Sequence, residues 1–284
     1  MTWKDPRGVL ARHGFRPSRR HSQNFLTSES VVHAIARATL RESPPLVVEI
    51  GPGVGTLTQA LLEGAKVIAL EKDRRMLDVL RTEFADEANL QVVEGDATKL
   101  DLAALTDRAP CTVAGNLPYA ITGAILRALV EQRSLVNRAV IMIQREVRDR
   151  LRAKEGTKAY GALSVFTQNA YDVSDVCSVP PRSFFPPPKV HSAVVALQPR
   201  SSPRATETTT FRNVVQAAFG QRRKTLRNSL RSRFDADAVD AALARAEIDP
   251  KRRGETLSIE SFGTLATLLD EGTKVSESDF EETT

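Results

Sequence analysis

Apolar and polar positions between residues 46 and 116 alternate in blocks. Short, nearly continuous apolar runs at 46–50, 66–70, 90–94 and 112–114 have the length and composition of buried strands. Segments of helical period lie between them, at about 56–63 and 74–84. A fifth run at 139–143 and a last one at 191–197 read as further strands, with 171–176 extended. This alternation predicts a mostly parallel sheet covered by helices, an α/β fold. Ahead of it, Val31, Val32, Ile35, Ala36 and Leu40 mark one face of a helix that Thr27 or Ser28 can cap. Beyond it the pattern becomes helical, at 211–219, 221–230, about 236–246 and 258–269. A Ser-, Thr- and Pro-rich stretch at 199–210 reads as the linker between two domains.

The ends of the predicted strands carry the candidate chemistry. The first runs into Gly51-Pro52-Gly53-Val54-Gly55 and then a helix. A strand, glycine turn and helix open a nucleotide-binding α/β unit. The second strand ends at Glu71, twenty positions after Gly51, the spacing at which a carboxylate accepts from ribose hydroxyls. Position 56 is Thr rather than Gly, and no Gly-Lys-Ser/Thr follows, so neither a pyrophosphate cradle nor a Walker loop is spelled. That combination favours an adenosyl ligand without phosphates, with S-adenosylmethionine as the candidate. Asp96 follows the third strand and can accept from an adenine amino group, although a plain turn Asp reads the same way.

The fourth strand delivers Asn116-Leu117-Pro118-Tyr119. Alone, this is an ordinary turn. Placed on the edge that already carries Glu71 and Asp96, it is better read as a clamp for a planar amine. The Asn116 oxygen and the Leu117 or Pro118 carbonyl would accept from an exocyclic NH2, and Tyr119 would stack on the ring.

Charge adds a partner. The chain of 284 residues carries +5, but the fifteen from Asp270 hold six acids and one Lys, hence −5, leaving +10 on the rest. Such a body attracts a polyanion, nucleic acid first. The cations cluster at 1–22, which includes Arg19 and Arg20, at 145–154, which includes Arg145 and Arg148, and between Phe219 and Phe234. The last interval holds six basic residues, among them Arg222, Arg223, Lys224 and Arg227, and no acids. The two cysteines and four histidines form no metal-binding spacing, and no apolar run approaches a membrane span.

Taken together, Gln23-Asn24-Phe25-Leu26, Glu49-Ile50-Gly51-Pro52-Gly53, Glu71, Gly95-Asp96-Ala97, Asn116-Leu117-Pro118-Tyr119, residues 184–195 and residues 221–230 resemble the small-subunit ribosomal RNA adenine dimethyltransferases (KsgA-type). The resemblance implies a Rossmann-like class I methyltransferase sheet, seven-stranded with one antiparallel strand, and a small all-α C-terminal domain. It implies dimethylation of the N6 amines of two adjacent adenosines near the 3′ end of small-subunit rRNA, within the immature small ribosomal subunit, by a cytoplasmic monomer without metal. Asn24, Leu26, Gly51, Gly53, Glu71, Asp96 and Asn116 would then contact S-adenosylmethionine, and Asn116, Pro118, Tyr119 and Phe184 would hold the target base. The organisation implied is a basic arm (1–22), a methyltransferase domain (23–200), a linker (201–210), a helical RNA-binding domain (211–271) and an acidic disordered tail (272–284). Ala120 departs from the family, which often has a second Asn there. Two alternatives are a macrolide-resistance-type dimethylase of large-subunit rRNA and a catalytically silent RNA-binding assembly factor.

Overall fold

The protein is described here by a computed structural model covering residues 4–17, 24–221 and 223–281, with side chains through residue 271. The chain forms two compact units, one within 1–148 and 171–199, the other within 149–170 and 200–284.

The first unit is built on strands β1 (Phe25–Leu26), β2 (Leu46–Ile50), β3 (Lys66–Glu71), β4 (Leu90–Glu94), β5 (Cys111–Asn116), β6 (Val136–Gln144), β7 (Tyr171–Val179), β8 (Phe184–Phe185) and β9 (Ser192–Pro199). Seven of them make one sheet in the order β4-β3-β2-β5-β6-β9-β7. Strands β2 to β6 pair in parallel, and β9 runs antiparallel to both β6 and β7. The chain starts at the centre with β2, builds outward through β3 and β4, then returns to the other side of β2 as β5. A crevice opens where strand order reverses in this way, at the carboxyl ends of β2 and β5. The remaining two strands, β1 and β8, form a separate antiparallel ribbon in which Phe25 faces Phe185 and Leu26 faces Phe184.

Helices α1 (Pro6–Arg12), α2 (Glu29–Thr39), α3 (Thr56–Leu61), α4 (Arg74–Glu83), α5 (Leu102–Leu105) and α6 (Thr122–Glu131) accompany this sheet. Val47, Val48 and Ile50 of β2 are fully buried, as expected of a strand covered on both faces. On α2, Val31, Val32, Ile35 and Ala36 recur at helical spacing and are buried. Helix α4 begins at Asp73, whose carboxylate accepts from the Arg75 amide.

Helices α7 (Arg145–Leu151), α8 (Ala162–Ala170), α9 (Thr209–Gly220), α10 (Leu226–Leu230), α11 (Ala236–Arg245) and α12 (Ile259–Glu281) follow. The second unit has its own core, built around Tyr160, Val165, Phe211, Leu226, Leu243 and Phe262. Three sequence expectations change here. Residues 149–170 belong to this unit rather than to the sheet unit, because Ala153, Tyr160 and Val165 bury themselves in its core. The linker at 201–210 is tethered: Asn169 donates to the Ala205 carbonyl at 3.1 Å and accepts from the Ala205 amide at 2.8 Å. The last helix does not stop at the expected domain end at 271, since α12 runs on to Glu281. A helix already nucleated by packed residues gains one backbone bond per added residue, and nothing after Gly272 breaks it.

Helix α10 is also shorter than its amphipathic pattern. Thr225 accepts from the Asn228 amide and starts the helix there, leaving Arg223 and Lys224 in the turn before it. No helix among the described residues is long and apolar enough to cross a membrane.

Candidate active site

The crevice is shaped by glycine at three points. Gly115 lies opposite Ile50 in the β2–β5 pairing, and a Cβ there would sit 2.5 Å from the Ile50 carbonyl oxygen. Only glycine lets β5 close on β2 and carry Asn116 to the edge. Gly51 and Gly53 have φ of +67° and +58°, the left-handed region. This turn aims the Gly53 amide at Glu71, whose Oε2 accepts from it at 3.2 Å. The Lys72 and Asp73 amides donate to Glu71 Oε1, each at 2.8 Å. Burial raises the Glu71 pKa, and these three amides pull against it. The glycine turn and the acid twenty residues on therefore meet in space.

A cavity of about 560 Å³ opens at this edge. Asn24, Leu26, Gly51, Gly53, Glu71, Asp96 and Asn116 all line it, and so do Leu117, Pro118 and Tyr119. Three cations on its wall are already neutralised. Lys72 pairs with Asp96 at 2.6 Å, Arg74 with Glu94 at 2.9 Å and Arg75 with Asp73 at 2.8 Å. The Lys72 bond and two bonds from Thr98 hold the Asp96 carboxyl well below the usual range.

Sequence reasoning gave no role to Glu49. Its side chain is 1% exposed, lines the cavity, and accepts from Thr58 Oγ1 at 2.6 Å. Burial pushes its pKa up to about 8, aided by the neighbouring negative charge of Glu71. The signal was present, an acid within an otherwise apolar strand directly before the glycine turn. With the wall cations paired and Glu71 open to a hydroxyl donor, the cavity suits a hydroxyl-bearing ligand rather than phosphates.

The acceptor side is organised by Asn116. Its Nδ2 donates to the Asn24 carbonyl at 3.1 Å, which leaves Oδ1 as the outward acceptor. The Pro118 carbonyl, one of two candidate acceptors, already receives the Ile121 amide at 3.1 Å and Thr122 Oγ1 at 3.2 Å. Among the described residues the Leu117 carbonyl receives none of the loop and turn hydrogen bonds. The Tyr119 hydroxyl is fixed to Ser192 Oγ at 2.6 Å, and partial burial raises its pKa.

Phe184 does not line the cavity. It is 3% exposed and packs in the core with Leu26, Val179 and Val194. Neighbouring strand residues point to opposite faces, so Phe184 goes inward and Phe185 outward. Phe184, expected to present a ring face to the base, is thus not among the residues that line the cavity.

The predicted RNA-contacting cations divide. Arg145, Arg223 and Lys224 are exposed and in no ion pair among the described residues. Arg148 pairs with Asp175 at 3.2 Å, and Arg227 shares Asp240 with Arg231. Those two are structural ion pairs before they are phosphate ligands. Arg19, Arg20 and Arg222 lie outside the described residues.

Residues 14–271 match the family described as ribosomal RNA adenine dimethylase. The chain belongs to the ribosomal RNA adenine dimethylase family. It is 46% identical over 258 residues to ribosomal RNA small subunit methyltransferase A of Syntrophotalea carbinolica, covering 89% of this chain and 97% of that one. The Myxococcus xanthus protein of the same name is 44% identical, with 94% and 95% covered. Among solved structures, a dimethyladenosine transferase from Plasmodium falciparum superposes with a TM-score of 0.75 at 28% identity, covering 87% of this chain and 98% of that one. The 23S rRNA methyltransferase ErmE superposes with a TM-score of 0.64 at 28% identity, covering 87% and 100%. The sheet unit of this dimethylase is thus a class I methyltransferase fold.

Proposed function

We propose that this enzyme transfers methyl groups from S-adenosylmethionine to the N6 amines of two adjacent adenosines near the 3′ end of small-subunit rRNA. The substrate would be the immature small ribosomal subunit, and the enzyme a cytoplasmic monomer. The observation that carries the reading is the Asn116 amide on the cavity wall, its nitrogen held by the Asn24 carbonyl so that its oxygen is left as the acceptor.

The cavity fits the cofactor. Glu71 and the glycine turn suit a ribose and the close approach of backbone, and Asp96 an adenine amine. When bound, S-adenosylmethionine supplies a methyl group activated by a sulfonium.

The chain's own residues prepare the acceptor. The adenine N6 lone pair is delocalised into the ring and is a weak nucleophile. Asn116 Oδ1 and the Leu117 carbonyl would each accept one N6–H, favouring a pyramidal nitrogen whose lone pair points away from them. Tyr119, its hydroxyl pinned to Ser192, would stack on a base withdrawn from its helix. Alignment of the nitrogen then supplies much of the rate. The alkylated nitrogen is acidic, so no tuned base is required. The monomethylated amine retains one N–H, and rotation about its C6–N6 bond lets one of the two acceptors hold it for the second transfer.

RNA affinity is assigned to the exposed cations Arg145, Arg223 and Lys224, with Arg19, Arg20 and Arg222 contributing charge from the same basic segments. The likeness to ErmE keeps a large-subunit substrate in view, whereas the relatives at 44–46% identity are small-subunit enzymes. A labelled methyl-transfer assay on both subunits, prepared from cells lacking the enzyme, separates them. Label in small-subunit rRNA is expected. Label only in the large subunit, or none, would reject the proposal.

A further inference from the structure

Two large apolar side chains stand exposed among the described residues, Phe185 at 40% and Val190 at 41%. Both belong to one loop, Phe185-Pro186-Pro187-Pro188-Lys189-Val190. This loop is fastened to the acceptor site at both ends. At its start, β8 pairs with β1, which continues directly from Asn24, the residue that orients Asn116. At its end, Ser192 holds the Tyr119 hydroxyl. Three consecutive prolines fix the backbone between these anchors, so little freedom remains to be lost on binding.

The surroundings are cationic. Arg182 and Lys189 flank the tip, both exposed and in no ion pair among the described residues. The Arg145 amide donates to the His191 carbonyl at 3.0 Å, placing a third exposed cation beside the loop. Glu146, exposed next to Arg145, is the acid on that side. An outward aromatic ring and an aliphatic side chain among positive charges match a nucleotide, whose base stacks while its phosphates meet the cations.

We infer that Phe185 is a specificity-determining residue that stacks on the adenosine adjacent to the one held at Asn116. With two adjacent acceptors, strand polarity makes the second acceptor the neighbour that Phe185 holds during one of the two transfers. The inference rests on the rRNA reading above and extends it to a second base.

The test uses the full-length enzyme with small subunits from cells lacking it. Stacking on one aromatic is commonly worth about tenfold or more in affinity. Phe185→Ala should therefore raise KM for the subunit by about tenfold, with kcat and S-adenosylmethionine Kd within about twofold of wild type, and Phe185→Trp should restore KM. An unchanged KM in Phe185→Ala, or a raised KM that Phe185→Trp does not restore, overturns the inference. A second readout is independent of turnover. Phe185→Trp, made with Trp3→Phe, should lose fluorescence on titration with an adenosine-containing single-stranded RNA, and not when the adenosines are replaced by abasic residues. Quenching that is absent, or that persists with the abasic RNA, counts against Phe185. If wild type itself methylates neither subunit, the substrate reading fails and the quenching result alone decides the stacking role.

Discussion

The Asn116 side chain donates to the Asn24 backbone carbonyl across 92 positions of sequence, at 3.1 Å. That bond assigns the two ends of an otherwise symmetric amide. Asn116→Asp keeps the shape but removes the donor, setting a carboxylate oxygen against a carbonyl. Methyl transfer is expected to fall on the order of 100-fold, with S-adenosylmethionine binding largely retained, because a lost or misaimed acceptor acts mainly in the transition state. Isothermal titration with the cofactor beside single-turnover rates checks both halves.

Lys72 holds Asp96 at 2.6 Å, yet its own side chain is 73% exposed. An ion pair so open to water contributes little. Lys72→Ala is expected to leave cofactor Kd unchanged or tighten it by less than about threefold, since Asp96 is released for a ligand. Asp96→Ala is expected to weaken it by about tenfold, the usual cost of losing a hydrogen-bonding partner of this kind. A large loss of affinity in Lys72→Ala would mean that the lysine itself contacts the cofactor.

Glu49 makes stability depend on pH. Its carboxyl has the ordinary pKa near 4.5 when unfolded, and burial pushes it up to about 8 in the fold. Between those values the folded state keeps a proton that the unfolded state has lost, so this group's contribution falls as pH rises. The limiting slope is about 1.4 kcal/mol per pH unit. Glu71, also raised by burial, acts in the same direction. Glu49→Gln removes only the Glu49 share, so its advantage over wild type in urea midpoint should grow from pH 5 to pH 8. Parallel curves would show that Glu49 is ionised in the fold.

Exposed and paired cations should separate in RNA binding. Arg223→Ala and Lys224→Ala are each expected to lower the slope of log affinity against log salt by about 0.7–0.9. Arg227→Ala should instead leave that slope near wild type, because its guanidinium is already paired with Asp240, and should change thermal stability little, since the pair is solvent-exposed and Arg231 still partners Asp240. Filter binding across a salt series distinguishes the two groups, and thermal denaturation in parallel checks the stability.

Much of this site was legible in the chain because strand ends are punctuated. Gly51, Glu71, Asp96 and Asn116 each follow an apolar run, and the sheet order brings those ends to one edge. What sequence could not supply was which polar groups were already engaged. Pro118 and Leu117 are adjacent carbonyls, and only the turn that follows occupies one of them. Phe184 and Phe185 are adjacent rings, and only the pairing of Leu26 with Phe184 decides which turns inward. Arg227 looked free because Asp240 lies thirteen residues away on another helix. The domain boundary failed for the same reason, since Tyr160 and Phe211 meet in one core across some fifty residues of intervening chain.

The most direct test is mass spectrometry of the 3′ region of small-subunit rRNA from cells lacking this gene, complemented with wild type or with Asn116→Ala. Two adjacent N6,N6-dimethyladenosines are expected with wild type, and unmethylated adenosines at both positions with Asn116→Ala. Dimethylation that persists without the gene, or that Asn116→Ala restores in full, would contradict the proposed function.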